Sequence, residues 1–564
     1  MSASSTITSH PPAPVTPSTD TATSNNSDSV SHIPSITHQF LLPNPSHSDY
    51  ERSQSVKEYL TETLGEKFVK ARDHDDSFEF SSHNFGTLNI KMPVSSNTAI
   101  RRSIHWIVNV DRSASMYGKV NGKTKLENIK HMLNNLIDYL KALCTDDVTH
   151  HLSIIGFDHE AEIYCNHINV GSSDEDIYEK YVNPITCRGS TNFSEAFEAA
   201  HEVHASASQE NSGEMAVHIF LTDGYITCGS RNLSRLVRNC REAIAASPSF
   251  AENRSFNRTY FVGFGNDHDA MFLNDICNEV SHSQYYFVEN IENAGFVYGE
   301  IVNDVLNEAM HSIYITTTFG EIFDFETNSW VNQLYISSLP IEVEKTFNIR
   351  MAHPAPIQWN TPRNIKIEVR GYLSGHQPNA PEDQGELRLL SQYINRNINY
   401  PNQAIEKDWW RQSILENMNT IKMLQENNRE GMVPERESHT FNLTILMNNL
   451  KEWAESRDLS EDLFIQCLCD DICCMLKSLN CRAEEGFSFV NARLLTQGYQ
   501  RAYNVGDFTA LNSSAYATRA AIVQDMHVPS LQRLTSYSSS SQNHTMHSIG
   551  GHTQRDSSTA TVKL

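Results

Sequence analysis

Between residues 103 and 307, short apolar runs alternate with stretches of helical periodicity, and few folds accommodate that alternation. SIHWIVNVD, HHLSIIGFD, MAVHIFLTDG and RTYFVGFGND are apolar over consecutive residues, as strands covered on both faces are, and SQYYFVEN adds another strand. KLENIKHMLNNLIDYLKAL, NFSEAFEAAHEVH, AMFLNDICNEV and IENAGFVYGEIVNDVLNEA place apolar residues every three or four positions, as amphipathic helices do. The pattern predicts an α/β fold, a doubly wound, mostly parallel sheet with helices on both faces.

The flanks read differently. FEFSSHNFGTLNIKMPVS, within 78–97, alternates like a strand pair, and 308–383 holds the strands SIYITTTFGEIFDF, QLYISSL, KTFNIRMAH and NIKIEVRGYL. Together they predict an accessory antiparallel β-domain. Residues 384–526, with GELRLLSQYINR, WWRQSILENMNTIKML and LFIQCLCDDICCMLKSL, predict a helical C-terminal region. Residues 1–50 and 527–564 are rich in Ser, Thr, Pro and Asn. They bury too little to offset the entropy of ordering, so disordered tails are expected. No internal repeat is present.

Composition narrows the function. A formal charge of −24, from 44 Lys+Arg against 68 Asp+Glu, excludes a chain built to coat nucleic acid or an anionic membrane. No apolar stretch approaches the roughly eighteen residues of a membrane span, and the N-terminus lacks the basic and apolar regions of a secretory signal. The 11 cysteines fall as six between Cys144 and Cys277 and five between Cys467 and Cys481. That odd, scattered set suits reduced thiols and an intracellular, cytoplasmic chain.

One loop carries two chemical readings. NVDRSASMYGKVNGKTKLEN, residues 109–128, contains D-x-S-x-S from Asp111 and GKVNGKT from Gly118. A phosphate loop needs G-x-x-x-x-G-K-[ST], and only three residues separate Gly118 from Gly122. A nucleotide hydrolase would use Lys123 and Thr124, with Asp223 ending a Walker-B-like strand. The metal reading uses more of the sequence. Mg²⁺ takes about six oxygen ligands and keeps some waters. Asp111 with Ser113 and Ser115, Thr191 in RGSTNF, and Asp223 in LTDG place five oxygens on three loops at the carboxyl edge of the sheet.

IVNVDRSASM, RGSTNFSEAF, IFLTDG and YFVGFGNDHDAMFLNDI, over about residues 100–307, resemble a von Willebrand factor type A (VWA) domain with a metal-ion-dependent adhesion site. Asp111, Ser113, Ser115, Thr191 and Asp223 match that pattern, with Ala114 where glycine is usual. The resemblance implies Mg²⁺ or Mn²⁺ in an interaction module without catalysis, a partner's Asp or Glu carboxylate completing the metal shell. The order of strand pair, VWA domain, β-domain and helices also resembles VWA proteins associated with Hint domains and their ubiquitin-linked relatives, although no Hint, U-box or RING zinc pattern occurs. The alternatives are an Mg²⁺-dependent nucleotide hydrolase built on GKVNGKT and a metal-independent scaffold.

Other features read as structural. His201 and His204 of HEVH lack H-E-x-x-H spacing and suit a solvated helix face. Asp267, His268 and Asp269 suit a helix cap. Cys467, Cys469, Cys473, Cys474 and Cys481 suit small core residues, Trp409 and Trp410 suit packing against the β-domain, and MVPERESHTF suits an exposed linker.

Overall fold

The computed structural model describes residues 35–40, 85–91, 103–120, 122–172, 176–207, 214–246, 257–265, 268–288, 294–318, 320–340, 344–351, 364–373, 386–394, 403–428 and 436–500. Before the α/β unit come β1 (Ser35–Phe40) and β2 (Phe85–Lys91). The unit's strands are β3 (Ile104–Asp111), β6 (His150–Phe157), β7 (Ala161–Asn169), β8 (Met215–Thr222), β9 (Arg258–Phe264) and β10 (Ser283–Val288), and a small hairpin supplies β4 (Lys119–Val120) and β5 (Lys123–Thr124). Its helices are α1 (Lys125–Leu143), α2 (Phe193–Ala207), α3 (Leu233–Ala245), α4 (Ala270–Glu279) and α5 (Ala294–Leu306).

The central sheet has the order β10-β9-β8-β3-β6-β7, parallel except for β7. Every residue of β3, β6, β8 and β9 is buried, as their unbroken apolar runs require. Ile107 and Ile155 pack under Ala199, Ala200 and Val203 of α2 and Ala243 of α3. Trp106, Val108 and Val110, two residues apart and so on the opposite face, share a core with Ile129, Leu133, Leu136 and Leu140 of α1. Thr124 starts α1 with a reciprocal cap: its side chain accepts from the Glu127 N–H, and Glu127 accepts from the Thr124 N–H.

The accessory β-domain is a sandwich. One sheet, β1-β2-β15-β12-β13, uses β12 (Gly320–Asp324), β13 (Ser329–Val331) and β15 (Glu344–Met351). The other, β14-β11-β16-β17, uses β11 (Glu308–Thr318), β14 (Gln333–Pro340), β16 (Asn364–Leu373) and β17 (Glu386–Ile394). Leu88, Ile90, Ile322 and Ile349 of the first face Met310, Ile313, Ile315, Leu339, Ile367 and Val369 of the second in one apolar core. The α/β unit is therefore inserted between strands of a single sandwich.

Helices α6 (Gln403–Glu426), α7 (Arg436–Ser456), α8 (Leu463–Ser478) and α9 (Ala483–Tyr499) pack around Ile414, Met418, Leu443, Leu450, Leu468 and Ile472. Trp410 joins that core, and Trp409 lies against Phe85 and Ile405, so both tryptophans serve packing. Helix α9 also touches the α/β unit: Phe487 and Ala492 enter its core, and Asn491 Nδ2 donates to Asn274 Oδ1 at 3.1 Å. Among the described residues, no helix is long and apolar enough to cross a membrane.

Several expectations need correction. Of 78–97, where a strand pair was expected, the described residues 85–91 form β2, whose neighbours are β1 and β15; the rest of that segment lies outside the described residues. β1 falls inside the segment 1–50 expected to be disordered; the rest of that segment and 527–564 lie outside the described residues. SIYITTTFGEIFDF is two strands, β11 and β12. Glu386–Ile394, expected as helix, is β17, because nine register pairs with β16 override an apolar spacing that suits either state. Arg436–Phe441 of the expected linker opens α7. Of the cysteines of α8 and its end, Cys469 packs half-buried against the helical core, Cys467, Cys474 and Cys481 are half-buried, and Cys473 is exposed, which corrects the core reading for Cys473.

Candidate metal centre

Chain order reverses at β3: β6 follows on one side and β8 on the other, which opens a crevice at the carboxyl ends of β3 and β8. Asp111 is the last residue of β3, and Asp223 directly follows β8. Both are fully buried. Asp111 Oδ1 accepts from the Ser113 N–H at 2.8 Å, and Oδ2 from the Thr222 hydroxyl at 2.7 Å. Ser113 Oγ lies 2.9 Å from Ser115 Oγ, and the Ser115 hydroxyl donates to Asp223 Oδ1 at 2.7 Å. A continuous polar chain thus joins the two carboxylates.

Thr191 arrives on the loop before α2. Its N–H donates to Thr227 Oγ1 at 2.8 Å, and its carbonyl accepts from the Thr227 and Cys228 N–H groups at 3.1 and 3.2 Å. Gly224 leaves room for the hydroxyls above it, since a Cβ there would stand 3.3 Å from Ser115 Oγ and 3.6 Å from Thr191 Oγ1. All five expected residues therefore converge. Asp111, Ser113, Thr191 and Asp223 form the buried floor, and Ser115 lies exposed at the mouth.

Three residues not expected from the sequence complete the arrangement. Lys125, the first residue of α1, donates its ammonium to Asp223 Oδ2 at 2.6 Å. Thr222 holds Asp111, and a threonine just before the aspartate of LTDG is the one sequence signal for it. Arg112, between Asp111 and Ser113, turns away and is buried against Asp158 at 2.8 Å, Glu162 at 2.6 Å and the Tyr164 hydroxyl at 2.5 Å. Arg188 of the second loop pairs with the same Asp158 at 2.8 Å, so one carboxylate braces two loops.

Burial and the charge of Asp223 push the Asp111 carboxyl up to about 6, against hydrogen bonds from Thr222 and Ser113. Two buried carboxylates facing one ammonium leave the centre short of positive charge. An all-oxygen set of carboxylates and neutral hydroxyls suits a hard divalent cation such as Mg²⁺ or Mn²⁺, so the residues fit the group.

The GKVNGKT segment is not arranged as a phosphate cradle. Lys119–Val120 and Lys123–Thr124 pair as a hairpin, Gly122 adopts a φ of 87°, and the Thr124 side chain is committed to capping α1. Elsewhere, His204 of HEVH is buried, which corrects the solvated reading. Burial drives it to about 3, and neighbouring His218 to about 4. Asp269 caps α4 by accepting from the Phe272 N–H at 3.0 Å, and His268 bridges the Gly265 carbonyl and the Tyr285 hydroxyl, each at 2.6 Å. Asp267 lies outside the described residues.

Residues 107–225 match a family model described as von Willebrand factor type A domain. No curated protein matches the chain. Among solved structures it is similar to a von Willebrand factor type A protein from Catenulispora acidiphila, at 10% identity and a TM-score of 0.44, over 79% of this chain and 93% of that one. It is also similar to the ArnB paralog VWA2 from Sulfolobus acidocaldarius, at 14% identity and a TM-score of 0.40, over 73% and 93%. A third similarity, at 15% identity and a TM-score of 0.26 over 37% and 46%, is to proximal thread matrix protein 1 from the mussel byssus with a zinc-occupied MIDAS motif.

Proposed function

Because this chain carries a von Willebrand factor type A domain, we propose that it is an interaction module rather than an enzyme. In this reading Asp111, Ser113, Ser115, Thr191 and Asp223 hold a divalent cation, Mg²⁺ or Mn²⁺, that captures an Asp or Glu carboxylate of a protein partner. The observation that carries it is the burial of Asp111 and Asp223 side by side at the sheet's crevice, joined through Ser113 and Ser115. Three of the five donors are neutral hydroxyls, so a bound ion would keep positive charge for an incoming carboxylate. Asp111 and Ser113 would hold the ion from below, while the Ser115 side faces solvent and leaves room for water or the partner. Tyr117 and Tyr225, 60% and 40% exposed on the first and third loops, offer a rim of aromatic contact suited to a protein surface.

One observation favours a second reading, a metal-independent scaffold: the Lys125 ammonium already pairs with Asp223. Thermal melting of the full chain in EDTA against millimolar Mg²⁺ or Mn²⁺ separates the two, because a ligand bound only by the folded state raises the melting temperature. The proposal expects a rise that Asp111→Ala abolishes. Equal melting in EDTA and in both cations would leave the scaffold standing.

A further inference from the structure

At the opposite, amino-terminal edge of the central sheet, three separate segments bring His151, His167 and Glu214 together. His151 is the second residue of β6, His167 lies near the end of antiparallel β7, and Glu214 immediately precedes β8. Their candidate donor atoms all lie within 4.8 Å of one another. Glu214 Oε1 is 2.7 Å from His151 Nδ1, and Oε2 is 3.0 Å from His167 Nε2. The three side chains are only 10%, 7% and 7% exposed, and Glu214 contacts both imidazoles through its two carboxylate oxygens.

The backbone is bent to deliver His167. The β6–β7 register slips beside Leu152 and Ile154, and His167 takes a φ of 49°, a left-handed conformation uncommon for a residue with a side chain. Its N–H donates to Ser153 Oγ at 2.8 Å, a side-chain acceptor standing where a regular ladder would offer a carbonyl. Bulges and positive-φ residues concentrate where a side chain must be re-aimed for a task. Around the three donors, the His105 ring meets His167 edge-on at 4.7 Å while its Nε2 lies 2.8 Å from Ser153 Oγ, and Ser153 reaches Asn166 at 3.2 Å.

We propose that His151, His167 and Glu214 form a second metal site, for a borderline transition ion such as Zn²⁺, separate from the oxygen-lined centre across the sheet. Two imidazole nitrogens and one carboxylate suit Zn²⁺ and not Mg²⁺, and three protein ligands leave a fourth position for water or an outside donor. Bond lengths near 2.0–2.1 Å set tetrahedral donors roughly 3.3 Å apart, so the two hydrogen-bonded contacts open by roughly 0.3–0.6 Å, while a donor pair as far apart as 4.8 Å closes. The His151 and His167 rings stack at 4.0 Å with 9° between planes, and one must turn so that both lone pairs meet the ion. The nitrogens that face Glu214 must present lone pairs to the ion, so in the loaded site the hydrogen of each ring sits on its other nitrogen. Ser153 anchors the His167 backbone through its N–H, and His105, held by the same Ser153 hydroxyl, packs edge-on against the His167 ring.

The test uses the full chain carrying Asp111→Ala, which removes the first centre, with Zn²⁺ uptake measured by calorimetry and Co²⁺ by visible absorption. The proposal expects a saturable Zn²⁺ equivalent and the intense bands of four- or five-coordinate Co²⁺. Adding His167→Ala or Glu214→Gln should abolish that equivalent or weaken it more than about a hundredfold, beyond the loss that outer partners cause. Histidines in the tails bind equally in both backgrounds and cancel in the difference. Glu214→Gln keeps the shape and an acceptor, so it decides the matter where His167→Ala fails to fold, with melting in EDTA as the check. Zn²⁺ uptake unchanged by Glu214→Gln, or absent already in Asp111→Ala, would overturn the site.

Discussion

Lys125→Met tests whether the ammonium at the oxygen-lined centre supports a cation or competes with it. The lysine side chain is 14% exposed, and the Asp223 oxygen it touches at 2.6 Å is fully buried. Removing one partner of a buried pair costs about 3–5 kcal/mol, and the partial exposure of Lys125 reduces that to about 1–3 kcal/mol. At about 2–4 °C per kcal/mol, the variant in EDTA should melt roughly 2–12 °C lower. Methionine keeps the stem, which runs close to Gly118. The cation should respond in the opposite sense. An ion about 2.1 Å from the shared carboxylate oxygen sits at most about 4.7 Å from the ammonium. Even at the dielectric constant of water, that repulsion is about 1.8 kcal/mol, or roughly twentyfold in Kd. Calorimetric titration with Mn²⁺ or Mg²⁺ should therefore show binding at least roughly twentyfold tighter in Lys125→Met, although its metal-free form is weaker. A Kd equal to or weaker than that of the parent would refute the competition and make Lys125 part of the cation's support.

Thr124→Ala should cost about 1 kcal/mol through the lost cap of α1, and ATP should add nothing to the melting shift seen with Mg²⁺ in either protein. A nucleotide-dependent shift lost in Thr124→Ala would restore the phosphate-loop reading. Burial places His204 at about 3 and His218 at about 4, both below the unfolded value of about 6.5. Their stabilisation is therefore full above about pH 6.5 and falls as pH drops towards 4, by up to about 1.4 kcal/mol per unit for each group. Denaturant unfolding between pH 7.5 and 5 should show that loss, and His204→Leu should flatten it. Arg493 pairs with buried Asp471 at 3.0 Å, so Arg493→Met should loosen the α8–α9 packing by about 3–5 kcal/mol, read as faster proteolysis there, with the Mg²⁺ response retained.

The strands that the sequence showed plainly are those whose environment is uniform. β3, β6, β8 and β9 are covered on both faces, so each residue carries the same apolar signal. β7 carries no such signal, because AEIYCNHIN is an edge strand of mostly half-exposed residues, and the state of β17 is decided only by its pairing with β16. The DxSxS aspartate and serines are close in sequence because one turn holds them, so they were legible beside Thr191 and Asp223. Lys125 was not, since its role depends on where the first turn of α1 lies relative to β8. His151, His167 and Glu214 are scattered along the chain and meet only through strand register, a bulge and one left-handed residue.

The insertion of the α/β domain into the sandwich also sets a schedule for synthesis. Lys91 of β2 pairs with Glu344 of β15, and the whole α/β domain is made between them. At about 5–20 residues per second, a ribosome takes roughly 13–50 s to cover that interval. Through it, Leu88 and Ile90 leave the exit tunnel with β1 beside them but with their core partners on β11, β12, β14, β15 and β16 not yet made. The inserted domain, with its own core, can fold in that time and bring the two ends of the sandwich into register. The nascent chain meanwhile presents an open strand edge, which makes β2 the segment where chaperone capture or premature pairing between neighbouring chains should begin.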